Sequence, residues 1–279
     1  AMAAHARYIS RQGKEAAGGP GRTLEVTDEL GQRHQGTQAI RQLIEDWYDR
    51  RLADGQPPLN INTTAPMPAL SMLWSETRDL RWHPVLDDWA TRLMREAPRT
   101  EEGGFQHDVS DKVNKGELWD DTLFMACLFL ARHGQASGRA ELVDEAIRQF
   151  LVHARYLTDI TTGLWFHGWT FEGRHNFARA RWARGNAWVT ACILDLFEAA
   201  ALPAGVQSFL TGVLTAQVKA LLPLQTEAGT WRTLLDDPAS YEEISATAGF
   251  AYGLLKASRL GIGDRTWADA GWRGVAAVL

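Results

Sequence analysis

Cysteine is scarce: there are two in 279 residues, Cys127 and Cys192, each set among apolar residues at helical spacing. Thiols placed that way read as buried and reduced, which excludes a small secreted scaffold stapled by disulfides. Long hydrophobic runs are missing too. The clearest, Leu123 to Ala131, falls well short of the roughly 20 residues a bilayer span needs. Ala1 to Lys14 contains no apolar core of the kind a signal peptide carries, so the expected location is the cytoplasm. Positive charge is not in surplus: 29 Lys and Arg stand against 34 Asp and Glu, a formal net charge of −5. That balance excludes phosphate-backbone binding as the main task, so neither nucleic acid nor membrane is an expected partner. HExxH, paired CxxC, GxxxxGK[ST] and GxSxG are all absent, and Gly261-Ile262-Gly263 lacks a third glycine and a preceding strand. Zinc chemistry, phosphate-loop chemistry and the serine nucleophile elbow therefore lack their residue patterns.

What is abundant is tryptophan: 12 residues, against 10 Phe and 5 Tyr. An indole offers a large flat face and one N–H donor. A surplus fits either thick helix packing or a site that stacks flat rings such as sugars.

Periodicity organises the rest. Residues 1–36 contain the breaker cluster Ala17-Gly18-Gly19-Pro20-Gly21 and little apolar pattern, and read as an irregular lead-in. From Thr37 onward Ile40, Leu43, Ile44, Trp47 and Leu52 follow helical spacing. Further helices are expected at about 66–74, 84–96, 120–133, 139–157, 186–201, 205–222, 244–260 and 264–278. Short hairpins are expected near 102–118, 163–176 and 229–235, where glycine and aromatics mix. Helices starting near 66, 120, 186 and 244 each follow a polar, aromatic-rich loop, and each is followed by a returning helix. The expected fold is all-α: a toroid of helix hairpins, one domain over 37–279, in which inner helices carry the loops and outer helices wrap them.

Several clusters sit at the loop ends of the inner helices. Trp119-Asp120-Asp121-Thr122 opens an apolar helix; one carboxylate is expected to cap it, and the other is spare. A spare carboxyl desolvated by Trp and Met could serve as a general acid. Between Gly163 and Trp188 lie Trp165, His167, Trp169, Arg174, Arg179, Arg181, Trp182 and Arg184, a run suited to an acidic, ring-shaped ligand. Arg184 stands just before a helix start, where exposed N–H groups also favour an anion. Gly103-Gly104 could present His107, and Asn60 to Met67 and Tyr241 to Ala248 each read alone as helix caps. In a toroid these ends converge on one mouth.

The strings NINTTAPM (60–67), PRTEEGGFQH (98–107), LWDDTLFMA (118–126), TGLWFHGWTFEGRHNFARARWARGNAW (162–188) and YEEISATAGFAYGLLK (241–256) carry a family resemblance. In order and spacing, over roughly residues 40 to 275, the chain resembles the unsaturated glucuronyl and rhamnogalacturonyl hydrolases, glycoside hydrolase families 88 and 105, most of all the second. The resemblance implies an (α/α)6 barrel with its site at the mouth and no metal or organic cofactor. It implies removal of the terminal 4,5-unsaturated uronic acid from small acidic, pectin-derived oligosaccharides. The implied catalytic residue is Asp121, which protonates C4 and activates the water that adds at C5. His107, His167, Trp182, Arg184 and Trp188 match family site positions, with Arg184 on the uronate carboxylate and Met125 lining the pocket.

Two departures accompany the match. Asn62 stands where many members carry a second aspartate, so an amide serves there or the site is weakened. The chain is also shorter than the family: about four hairpins and one odd helix are counted against six, the toroid reading as incomplete at both ends. Either a second copy covers the exposed helix faces, as a homo-oligomer, or the chain is a fragment. A non-catalytic sugar-binding relative, and another toroid enzyme such as an epimerase, stay open as alternatives.

Overall fold

The computed structural model describes residues 25–27 and 33–279. The chain divides into two compact units, Ala1–Pro58 and Leu59–Leu279. In the first, β1 (Glu25–Thr27) pairs antiparallel with β2 (Arg33–Gln35), Val26 opposite His34. Most of the lead-in expected over 1–36 lies outside the described residues. After Gly36, α1 (Thr37–Ala53) buries Ile40, Ile44 and Tyr48, one turn apart along a single stripe. This helix, read from the sequence together with the toroid, groups with the first unit.

The second unit is built of helix hairpins. Asn60 caps the short α2 (Ile61–Thr64) reciprocally with Thr63: the Thr63 N–H donates to Asn60 Oδ1 at 2.9 Å and the Asn60 N–H to Thr63 Oγ1 at 3.0 Å. Four hairpins follow: α3 (Met67–Thr77) with α4 (His83–Glu96), α5 (Leu128–Ser137) with α6 (Ala140–Leu157), α7 (Ala183–Ala199) with α8 (Ala204–Leu221), and α9 (Ile244–Arg259) with α10 (Arg265–Val278). The first member of each pair packs on the first member of the next, α3 on α5, α5 on α7 and α7 on α9. These are the expected inner helices. Composition explains the layering: α7 buries Ala183, Gly185 to Ala187 and Val189 to Leu196 with hardly a gap. Its outer partner α8 buries only Leu210, Leu214, Gln217, Val218 and Leu221, a single stripe.

Two local features tune the inner layer. α5 is entered through a π-helical turn, Leu123–Cys127, so its first turn holds an extra residue. α7 and α9 approach closely because α9 offers Gly253 there; a Cβ at that position would meet Thr190 Cγ2 at 2.6 Å.

Strands are fewer than the expected hairpins. Near 163–176 the hairpin forms, as β4 (Gly168–Thr170) with β5 (His175–Ala178). Near 102–118 only isolated antiparallel bridges form, Arg99 with Phe105 and Val109 with Lys112, and β3 (Glu117–Trp119) pairs with β4. Local glycine signals favour a nearby partner, but the distant strand is the one that completes a sheet over the helix starts.

The inner helices are clamped by one buried charge. Asp195 on α7 accepts from Arg132 Nη2 of α5 at 2.7 Å, and from Tyr252 Oη at 2.6 Å and Lys256 Nζ at 2.5 Å of α9. Burial pushes its carboxyl up, but Arg132 and Lys256 beside it outweigh this and hold it down at about 2. Without Asp195 the largely buried Arg132 guanidinium would lose its carboxylate, while Lys256 keeps Glu198 Oε2 at 2.5 Å. Asp195→Ala is expected to lose about 3–5 kcal/mol in urea unfolding at neutral pH. The gap between variant and wild type should narrow on acidification from the ordinary carboxylate value of 3.8 toward about 2, because the depressed carboxyl stabilises only while ionised.

Candidate active site

The sheet fixes the site. β3 and β4 lie with Trp119 opposite Gly168, and the pairing runs one residue further: the Asp120 N–H donates to the His167 carbonyl at 3.2 Å. Beside β3, the His107 N–H donates to the Glu117 carbonyl at 3.1 Å. Two histidines from distant loops therefore flank Trp119. His107 stacks on it with ring centres 4.7 Å apart and planes 7° apart, and His167 meets it edge-on at 4.8 Å. His167 also meets Trp182 edge-on at 4.7 Å.

The loop that carries His167 is tied to the start of α7 by a buried amide. Asn186 Oδ1 accepts from the Trp165 N–H at 2.8 Å, while its Nδ2 donates to the Trp165 and Trp182 carbonyls at 2.9 and 3.0 Å. Gln217 of α8 donates to the Asn186 carbonyl at 3.0 Å, so the outer helix locks the knot from behind. Every polar atom of the Asn186 side chain is thereby used, as a buried amide requires.

The two carboxyls converge on His167. Its Nδ1 lies 2.8 Å from Asp120 Oδ1 and 3.5 Å from Asp121 Oδ2. Asp120 is 0% exposed and Asp121 8%. Among the described residues no protein group donates to Oδ2 of either. Burial pushes Asp120 up to about 7, and burial together with the Asp120 charge pushes Asp121 further, to about 8. Burial lowers His167 below its ordinary value, although the Asp121 charge works the other way. His107, 3% exposed with its Nδ1 2.8 Å from Thr122 Oγ1, is pushed by burial down to about 3 and stays neutral.

The expected carboxylate cap is not made. The π turn opens after Thr122 without a side-chain cap, because the Asp120 carboxyl is turned toward His167 and lies against Gly185 of α7. A Cβ on Gly185 would stand 2.2 Å from Asp120 Oδ2. Oxygens of both aspartates and a nitrogen of His167 lie within 4.8 Å of one another. Within this set His167 Nδ1 is engaged by Asp120 at 2.8 Å, and Asp120 Oδ2 lies against Gly185.

Arg184 lies one contact beyond His167 and Trp182. Its guanidinium sits 4.7 Å over the Trp182 ring and its Nε donates to Glu243 Oε1 at 2.6 Å. Glu243 also accepts from Thr233 Oγ1 at 2.7 Å and Ser245 Oγ at 2.6 Å. Burial works to raise its carboxyl, but the hydrogen bonds from Ser245, Thr233 and Arg184 prevail and hold it ionised. The Arg184 side chain is 41% exposed, and no other described residue bonds its terminal nitrogens.

Asp121, His167, Trp182 and Arg184 thus form one run of contacts, with His107 behind Trp119. Met125 is half-buried in the π turn, and Trp188 packs on Phe124 with ring centres 4.5 Å apart. Asn62 is exposed, on α2, which packs on the same π turn. Sequence reasoning left out Trp119, Asp120, Gly185 and Glu243 as site residues. The Asp-Asp doublet signalled the second; nothing local signals that Glu243 will meet an arginine from another hairpin.

Residues 32–279 match the model of Glycosyl Hydrolase Family 88, and the chain belongs to that family. It is 34% identical over 220 residues to the unsaturated rhamnogalacturonyl hydrolase YesR of Bacillus subtilis, a match covering 78% of this chain and 64% of that protein. This chain therefore spans less than two thirds of that relative's length. A solved structure from Salmonella enterica, described as a possible member of glycoside hydrolase family 105, superposes with TM-score 0.87 at 42% identity, covering 99% of this chain and 68% of the other. One from Klebsiella pneumoniae with the same description gives 0.83 at 38%, covering 99% and 79%. The fold is that of the (α/α)6 toroids, as expected. No described helix is long and apolar enough to cross a membrane.

The close approach at Gly185 yields a prediction. Gly185→Ala must displace the Asp120 carboxyl, a strain expected to cost roughly 1–3 kcal/mol in chemical denaturation. The His167 ring signals should move with it in nuclear magnetic resonance. Unchanged stability and unchanged His167 signals would show that the carboxyl does not depend on that gap.

Proposed function

We propose that the protein is a hydrolase that removes the terminal 4,5-unsaturated uronic acid from small, pectin-derived oligosaccharides of the rhamnogalacturonan type. The observation that carries this reading is the Asp121 carboxyl, nearly out of water and raised to about 8, so that it holds a proton at neutral pH, with the Arg184 guanidinium reached through His167 and Trp182. A carboxylic acid of that kind can protonate an electron-rich carbon; an ordinary surface aspartate cannot. The name of the Bacillus subtilis relative supplies the substrate class.

In this scheme the proton of Asp121 goes to C4 of the C4=C5 vinyl ether, and the positive charge that forms at C5 is shared with the ring oxygen. Water adds at C5 and returns a proton to the Asp121 carboxylate. The hemiketal so formed opens by breaking the bond from C5 to the ring oxygen, which takes up the proton that the C5 hydroxyl gives up as it becomes a ketone. C1 is then a hemiacetal and expels the linked sugar as an alcohol, leaving an aldehyde. The net change is one water consumed and two products. The usual pair of carboxylates straddling a glycosidic bond is not required, because the bond that reacts first is C4=C5.

Arg184 would hold the uronate carboxylate through its terminal nitrogens, with Glu243 fixing the guanidinium from behind. Trp182 and Trp188 would wall the ring, Met125 would line it, and His167 would orient the acid with His107 in support. Asn62, exposed beside the π turn, would meet the substrate as an amide. No metal or cofactor takes part in this scheme. The family match begins at residue 32, which supports reading 37–279 as one catalytic domain. The buried free thiols of Cys127 and Cys192 support a cytoplasmic location, and a second copy of the chain is the partner we would test by mass in solution.

The test follows the loss of double-bond absorbance on lyase-digested rhamnogalacturonan. Asp121→Asn should abolish it while the fold survives, and retained turnover would remove Asp121 from its role. Binding without turnover by the unaltered protein would favour the non-catalytic reading instead. Arg184→Ala should raise KM roughly 10- to 100-fold with a smaller change in kcat, the loss of a charge-assisted contact. The rate should decline as pH rises through about 8, where Asp121 loses the proton it must donate.

A further inference from the structure

The backbone of Asp120 extends the β3–β4 pairing, but its carboxyl serves no such end. It caps no helix through its side chain, it is wholly buried, and its Oδ2 receives no donor among the described residues. A carboxyl taken out of water costs free energy unless it is paired or protonated. Among the described residues its carboxyl bonds His167 Nδ1 at 2.8 Å, with Asp121 alongside. Resting on the reading above, we propose that Asp120 is a positioning residue for Asp121: its buried carboxylate accepts the His167 Nδ1–H and confines the one proton of the carboxyl pair to Asp121.

The geometry sets the direction. Adjacent carboxyls in the same dry space do not both ionise near neutrality, so the pair keeps one proton. Each has an Oδ2 that no protein donor reaches, and a proton held on Asp121 can be offered to Asp120, whose charge it then partly satisfies. What breaks the symmetry is His167: an N–H at 2.8 Å favours the charged form of Asp120, whereas Asp121 stands 3.5 Å away. Asp120 is also the member sealed off by Gly185, while Asp121 keeps the slight exposure that a proton donor to a ligand needs.

The other titratable groups around the pair leave this assignment intact. From α7, Cys192 is buried with its thiol pushed well up, so it stays neutral. Arg184, in the first turn of α7, is bound to Glu243. From the loop before β3, His107 is neutral, and on α6 His153 is pushed by burial to about 4. α2 carries no titratable side chain. On α3 the only one is Glu76, near the far end of the helix.

The experiment compares wild type with Asp120→Asn, which keeps an oxygen for His167 Nδ1–H and removes the charge. Carbon-13 labelling of aspartate carboxyls reads the titration directly, and Asp121→Asn identifies the Asp121 signal. In wild type, Asp121 should keep its proton at neutral pH. In Asp120→Asn its titration should move down by roughly one pH unit or more, the loss of a like charge at close range. The alkaline limb of kcat/KM should move with it. An unmoved titration and limb, with or without loss of stability, would overturn the proposal and leave Asp120 a packing residue. Should Asp120→Asn fail to fold, the wild-type titration still decides: two independent, ordinary carboxyl titrations contradict a shared proton. Failure of the substrate reading shows separately, as wild type that titrates as described but leaves the unsaturated oligosaccharide intact.

Discussion

Asp120 and Asp121 are consecutive, and both leave water beside the same imidazole. Carboxyls in that position repel one another and lack solvation, so the surrounding structure must be rigid enough to hold them against the alternative of swinging out. Much of the second unit serves that end. The β3–β4 register sets His167 opposite the turn, the Asn186 knot holds the His167 loop to α7, and Gly185 removes the one Cβ that would expel Asp120. Arg184 and Glu243 then place a fixed positive group a few contacts away.

The two ends of the inner helices are built differently. At their starts the groups are polar, close to neutral in charge, and joined through loops. Deeper along the same helices, Asp195 gathers two cations, Arg132 and Lys256, and the Tyr252 hydroxyl into a clamp between α5, α7 and α9. Burial acts on both carboxyl sets, yet Asp195 is held down and Asp121 is held up. The difference lies in the company each keeps: two cations for Asp195, a like charge and a neutral histidine for Asp121.

Much of this was legible in the residues. The helix starts near 66, 120, 186 and 244 follow from apolar periodicity, and the observed starts fall at Met67, Leu123, Ala183 and Ile244. Asp121, His167, Trp182 and Arg184 stood out because charged and aromatic residues clustered ahead of apolar helices. What escaped was long-range. The pairing of β3 with β4 joins segments separated by a whole hairpin, and short strands leave little periodic trace. The Glu243 contact with Arg184 depends on how α9 sits against α7, which no local pattern encodes. Asp120 was visible but misassigned: a carboxylate before a helix normally caps it, and only the placement of His167 and Gly185 shows why this one does not.

The π turn at Leu123–Cys127 carries a consequence of its own. One surplus residue there lets the acid-bearing segment and the body of α5 keep separate rotational settings on a common axis. Shortening the turn by a single residue would restore regular winding and swing the segment before it by about 100° relative to the helix behind. The segment that carries Asp120 and Asp121 and the packed body of α5 are thus joined through one turn. Because Leu123, Phe124, Ala126 and Cys127 are themselves buried, re-aiming the carboxyls in this way would also repack the inner layer.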